Sequence, residues 1–167
     1  MKRMHLAPLA LVLLVGAAQA HELKSERLPQ VDHVVVDKSE RTIMLHINGE
    51  PVRIIGGAQF GDAPTGHKRF QGDERTPEGR YTIDFGNPQS SYHLSLHISY
   101  PNARDKAYAR SHGRSPGGAI FIHGQPNALR VGRVPGDWTD GCIAVSNEEI
   151  EWMWQTIPNG TPIDIVP

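Results

Sequence analysis

The stretch HVVVDKSERTIMLHINGEPVRII, residues 33–55, decides the fold. His33 to Val36 is rich in β-branched residues, Asp37 to Glu40 is a polar turn, and Arg41 to Ile47 is apolar-rich again. β-Branched side chains suit a pleated, half-buried surface, so both runs read as strands. Asn48-Gly49 then separates the second run from Val52 to Ile55. An Asn-Gly pair between such runs marks a hairpin, because both turn residues need positive φ. Three antiparallel strands therefore open the domain.

Working outward, Gly56 to Arg75 is irregular, with glycines, Pro64 and several charges. A loop of that length in a compact domain is often functional. Tyr81 to Phe85 reads as a strand, and His93 to Ser99 alternates with period two, His93, Ser95, His97 and Ser99 opposing Leu94, Leu96 and Ile98. Pro101 to His112 reads as a helix capped by Asn102 and stopped by Gly113. Ala119 to Ile122 is a short apolar strand running into His123-Gly124, and residues 125–140 form a second long loop. Cys142 to Val145 is strand-like. Ser146 with Glu149 makes a capping box for a helix whose apolar face is Ile150, Met153, Trp154 and Ile157. Pro158 ends that helix, and Pro162 to Val166 reads as a closing strand.

Upstream, Lys2 and Arg3 precede an apolar run from Leu6 to Val15, and Ala18 and Ala20 have the A-x-A spacing of a signal-peptidase site. Residues 1–20 are therefore expected to be a signal peptide, and 21–167 one exported domain. The run is shorter than the ~20 residues that span a bilayer, so stable membrane insertion after cleavage is not expected. The chain has 167 residues and a net charge of −1; without Lys2 and Arg3 the remainder stands at −3. That balance argues against a general nucleic-acid binder and against docking on anionic lipid.

One cysteine, Cys142, is present. Exported proteins with several cysteines usually pair them, whereas a single thiol has no partner in its own chain. It is then either a small buried hydrophobe or a reactive group. A thiol redox protein would need a second cysteine to resolve a mixed disulfide. Phe121-Ile122-His123-Gly124 and Thr139-Asp140-Gly141-Cys142 each place a reactive side chain beside glycine where a loop meets a strand. A thiol nucleophile needs a base to raise its thiolate fraction, and His123 can serve near neutral pH. Backbone N–H groups near Gly141 and Cys142 are candidates for holding a tetrahedral oxyanion.

A strand ending in His-Gly, a loop, and then Ser/Thr-x-Gly-Cys resembles the L,D-transpeptidase catalytic domain, also called the YkuD type. The resemblance extends over nearly the whole chain after residue 20. Thr76-Pro77-Glu78-Gly79-Arg80-Tyr81 matches the family's upstream T-P-x-G-x-[FY] segment, His123-Gly124 its base motif and Thr139-Asp140-Gly141-Cys142 its nucleophile motif. Asp137-Trp138-Thr139-Asp140-Gly141-Cys142-Ile143-Ala144 is similar to the D-W-T-x-G-C-I-A run of the short YafK-like branch.

The resemblance implies a mainly β fold, a β-sandwich of mixed sheets carrying the two short helices, with the site in a groove. It implies a periplasmic cysteine acyltransferase in which Cys142 attacks a diaminopimelate carbonyl of a peptidoglycan stem peptide. Terminal D-alanine leaves, and an amine of a second stem, a lipoprotein lysine or a free D-amino acid takes the acyl group; water gives hydrolysis instead. The Gly124 carbonyl would orient the imidazole. No metal and no organic cofactor is expected, the partners being peptidoglycan stem peptides or an envelope lipoprotein, and the expected state a monomer. A non-catalytic wall-binding module is the alternative from another class.

Two positions depart from the commoner family pattern: Asp140 stands for histidine, and Ala144 for arginine. Substrate carboxylates then need another cation, and Arg130, Arg133, Lys68 and Arg69 are candidates from the two long loops. Trp138, before the nucleophile, and His97 are candidates for lining the groove. A zinc site on His93-x-x-x-His97 is disfavoured, because on a strand the two residues lie ~13 Å apart.

Overall fold

The computed structural model describes residues 28–167, so the expected signal peptide lies outside the described residues. Eight strands form one hydrogen-bonded sheet: β1 (His33–Asp37), β2 (Thr42–Ile47), β3 (Glu50–Gly56), β4 (Gly79–Ser90), β5 (His93–Ile98), β6 (Ile120–His123), β7 (Ile143–Ala144) and β8 (Thr161–Val166). Helices α1 (Ala103–Ser111) and α2 (Asn147–Thr156) complete it. The spatial order is β3-β2-β1-β8-β4-β5-β6-β7. Pairings β1–β8 and β6–β7 are parallel and the others antiparallel.

The opening strands pair as the alternation requires. Val34 and Val36 of β1 and Ile43 and Leu45 of β2 are fully buried, with half-exposed neighbours between them. Asn48 and Gly49 both take positive φ, 54° and 82°, as a hairpin turn of the observed hand demands. Both edges of the sheet then meet. Gln59, just past β3, bridges Ala144 of β7, and Gly61 bridges Thr139. The expected mixed sheets are thus joined into one ladder curled until its ends touch. Ile83, Leu96, Ile98, Ile122, Ile143 and Ile163 fill the interior, closed by Ile150 and Met153 of α2.

β4 runs to Ser90, five residues past Phe85. Pro88 would break a regular ladder, but it falls where the β4–β5 register shifts, between Asn87 and Ser90, and its missing N–H is not needed there. Both helix starts carry complete capping boxes, Asn102 with Asp105 and Ser146 with Glu149. The Asp105 carboxylate has a second task. It is 7% exposed and accepts the Tyr81 hydroxyl at 3.0 Å, and it lies 3.0 Å from His67 Nε2. Among the described residues no helix is long and apolar enough to cross a membrane.

Candidate active site

β6 ends in His123 and runs parallel to β7, with Ile122 opposite Ile143 and His123 opposite Ala144. Cys142 is the residue before β7, so this register brings it alongside Phe121. The Cys142 sulfur accepts the Phe121 N–H at 3.4 Å and lies 3.5 Å from the Ala119 carbonyl. His123 and Cys142 both line one cleft of about 940 Å³, ample for a stretch of peptide. Trp138, Thr139, Asp140, Lys68 and Tyr92 share its wall.

The imidazole is fixed from two sides. His123 Nδ1 lies 2.7 Å from the Gly124 carbonyl. A carbonyl can only accept, so Nδ1 carries the proton and Nε2 keeps its lone pair. The Tyr92 ring stacks on His123 at 4.6 Å and 28°, and the Trp138 ring stands nearly edge-on at 5.6 Å. Burial pushes the His123 pKa below its ordinary value, against the Gly124 hydrogen bond. Burial also pushes the Cys142 thiol up; Asp140 adds to this, while the Phe121 N–H and Lys68 oppose it. Both shifts favour the neutral forms of thiol and imidazole.

The turn before the thiol is held by its own residues. Thr139 Oγ1 donates to the Cys142 carbonyl at 2.7 Å and accepts the Gly141 N–H at 3.2 Å. That N–H is thereby occupied, and Thr139 and Gly141 together shape the turn. Gly141 has φ of +122°, and a Cβ there would stand 2.5 Å from the Arg75 carbonyl oxygen.

The other sequence candidates divide by place. Lys68 reaches the cleft, 3% exposed, with its ammonium 2.9 Å from Asp73. Arg133 instead binds the Gly56 and Gly57 carbonyls and Glu149, pinning its loop to β3 and α2. Arg130 is exposed and lies outside the cleft wall. His97 stacks on Phe85 at 4.4 Å and meets Asp84 at 2.6 Å, also outside it. His93 pairs with Glu151 at 2.7 Å. No group of three His, Cys, Asp or Glu side chains placed to hold a metal ion occurs among the described residues.

Several supporting residues have no role that their sequence position suggests, Asp137 being only the first letter of a motif and Gln59 and Gln125 belonging to none. Asp137 accepts hydrogen bonds from both terminal guanidinium nitrogens of Arg41 at 2.7 Å and from the Phe60 N–H at 2.9 Å, clamping the loop before Cys142 to the segment after β3. Gln125, fully buried, donates to Val145 O at 2.7 Å and Gln59 Oε1 at 3.1 Å, and accepts Val134 N–H at 2.9 Å. Gln59 in turn donates to the Val134 and Gly136 carbonyls. This amide pair gives Val134 and Gly136 of the 125–140 loop partners for their backbone groups. Gln125→Leu strands three of those groups and is expected to destabilise the protein by about 3 kcal/mol, read as a lower urea midpoint at unchanged slope.

A curled mixed sheet with a thiol and an oriented imidazole on adjacent strands defines an L,D-transpeptidase-type domain. The chain belongs to that family: the L,D-transpeptidase catalytic domain, YkuD, matches over residues 31–165. The chain is similar to YafK of Escherichia coli (strain K12), 28% identical over 141 residues, covering 81% of this chain and 51% of the relative. It thus spans about half the length of the curated relatives it matches. Among solved structures it is similar to the helical cell shape determining protein Pgp2 of Campylobacter jejuni, with TM-score 0.64 and 26% identity, covering 82% of this chain and 48% of that one. The L,D-transpeptidase of Xylanimonas cellulosilytica shares the fold at 18% identity and TM-score 0.53, covering 84% of this chain and 62% of that one.

Proposed function

We propose that this domain is a periplasmic cysteine acyltransferase acting on peptidoglycan stem peptides through a thioester on Cys142. The observation that carries the reading is the 2.7 Å contact of His123 Nδ1 with the Gly124 carbonyl, which assigns the proton to Nδ1 and leaves the lone pair on Nε2, in a residue that lines the same cleft as Cys142. Cys142 Sγ attacks the carbonyl carbon of a diaminopimelate residue while His123 Nε2 takes the thiol proton. The tetrahedral oxyanion collapses, the C–N bond breaks, and the His123 proton goes to the departing amine of D-alanine. The resulting thioester is attacked by an amine, which forms a new amide, or by water, which frees the acid. His123 takes the proton of either nucleophile, and the thiolate leaves. Export to the periplasm rests on residues 1–20 and on family membership.

The test is incubation of the protein with disaccharide-tetrapeptide muropeptides, with and without EDTA, and mass spectrometry of protein and products. A covalent acyl adduct insensitive to EDTA is expected. Dimers name an amine acceptor and trimmed tripeptides name water. If neither adduct nor product forms, with a lipoprotein-linked muropeptide included, the wall-binding alternative replaces this reading.

The pH profile follows from burial. His123 is held below its ordinary 6.5, so the base remains neutral and competent down to that pH. The acid limb of kcat/KM is expected below pH 6.5, with activity lost as pH falls through the lowered value. A midpoint above 6.5 in the acid limb would contradict a neutral buried base.

A further inference from the structure

Lys68 is the one lysine or arginine lining the cleft among the described residues, and the acyl-transfer chemistry as written leaves it without a task. Its ammonium is not a surface charge. The side chain is 3% exposed, and Nζ stands 3.3 Å from the point a Gly141 Cβ would occupy, so it packs directly on the residue before Cys142. We propose that Lys68, anchored by Asp73, is a positioning residue: a fixed cation that stabilises negative charge on the Cys142 sulfur and so sets its reactivity. This rests on the reading of Cys142 as nucleophile.

Asp73 fixes the ammonium and is itself held by backbone donors. Besides Lys68 at 2.9 Å, its carboxylate accepts the N–H groups of Arg69 at 2.6 Å, Phe70 at 2.9 Å and Arg75 at 3.3 Å. Those three donors hold Asp73 in a tight turn beside Lys68. Away from bulk water a cation acts on a forming anion more strongly and over a longer range. So deeply buried an ammonium is badly placed to grip a carboxylate arriving in solvent, but well placed to act on the neighbouring turn. The other charged or titratable groups of the cleft are Asp140, which opposes thiolate formation, Glu74, Tyr92 and His123.

Two substitutions separate this role from a merely structural one, because both disturb the same ion pair yet push the thiol in opposite directions. Lys68→Gln removes the cation and keeps a donor for Asp73. Asp73→Asn keeps the cation and removes its counter-charge. The readout is the pH dependence of Cys142 alkylation by iodoacetamide, a neutral reagent, followed by mass spectrometry. Lys68→Gln is expected to move the midpoint upward and slow alkylation at pH 8 by about tenfold, the equivalent of one pKa unit. Asp73→Asn is expected to move it downward and speed alkylation. An unmoved Lys68→Gln midpoint, or movement of both variants in the same direction, overturns the proposal. If Lys68→Gln does not fold, Asp73→Asn alone decides: slower or unchanged alkylation overturns it. Alkylation needs no substrate. A wild type that alkylates normally but never acylates with muropeptide defeats the functional reading, whereas an acylating wild type with unmoved variants defeats the role of Lys68 alone.

Discussion

Replacing Cys142 by alanine is expected to eliminate the covalent acyl adduct and to lower turnover by at least about 10⁴-fold, with the fold intact. No other thiol exists in the chain to take over. The nearest hydroxyl in the turn, Thr139 Oγ1, is committed to the Cys142 carbonyl and the Gly141 N–H. The structural loss is small. The sulfur makes two long polar contacts, at 3.4 and 3.5 Å, and the residue is half-buried. The melting temperature is therefore expected to move by only a few degrees, a change of about 1 kcal/mol. His123→Ala should differ in kind, slowing acylation by roughly 10² to 10⁴ without abolishing it, because the thiol remains. Mass spectrometry of both variants after muropeptide incubation checks the pair. An adduct on Cys142→Ala, for instance at Ser115 in the cleft wall, would remove the thioester from the mechanism.

His123 and Cys142 were legible as a motif, whereas their sharing one cleft was not. Nothing local to Ile120–His123 says that it pairs in parallel with two residues twenty positions later; that pairing is set by the curl of the whole sheet. The elements themselves were clearest where one face is buried and the other wet, as in β1, β2 and α2, because a period survives only under that asymmetry. β4 runs past the Phe85 at which the sequence reading ends it, because Pro88 falls at an irregularity that only the observed register shows. Buried polar residues were the least legible. Gln125, Gln59 and Asp105 carry the side chains of ordinary surface residues, and their value comes from partners far away in the chain. Arg133 illustrates the converse, since its loop position suggested a substrate cation while its guanidinium is spent on two carbonyls and Glu149.

Gly141→Ala is expected to destabilise the protein by about 3 kcal/mol and to reduce turnover at least about tenfold in what remains folded. Two effects combine. The residue has φ of +122°, a region that side chains disfavour. The added Cβ would also stand 2.5 Å from the Arg75 carbonyl oxygen, and Lys68 Nζ lies 3.3 Å away. The Arg75 backbone cannot easily retreat, because its N–H is tied to Asp73 and Lys68 N–H is bound to the adjoining Thr76 carbonyl at 3.3 Å. Relief must come from the 139–142 turn, which carries the sulfur, so the loss should fall on kcat. Gly132→Ala isolates the conformational part, since Gly132 has φ of +87° with nothing within 4 Å of its Cβ position. It should cost only about 1 kcal/mol and leave turnover unchanged. Urea unfolding and steady-state kinetics on the two variants separate strain from overlap. Equal stability losses would mean that the turn yields freely, and the rigid placement of Cys142 against Phe121 would then have to be abandoned.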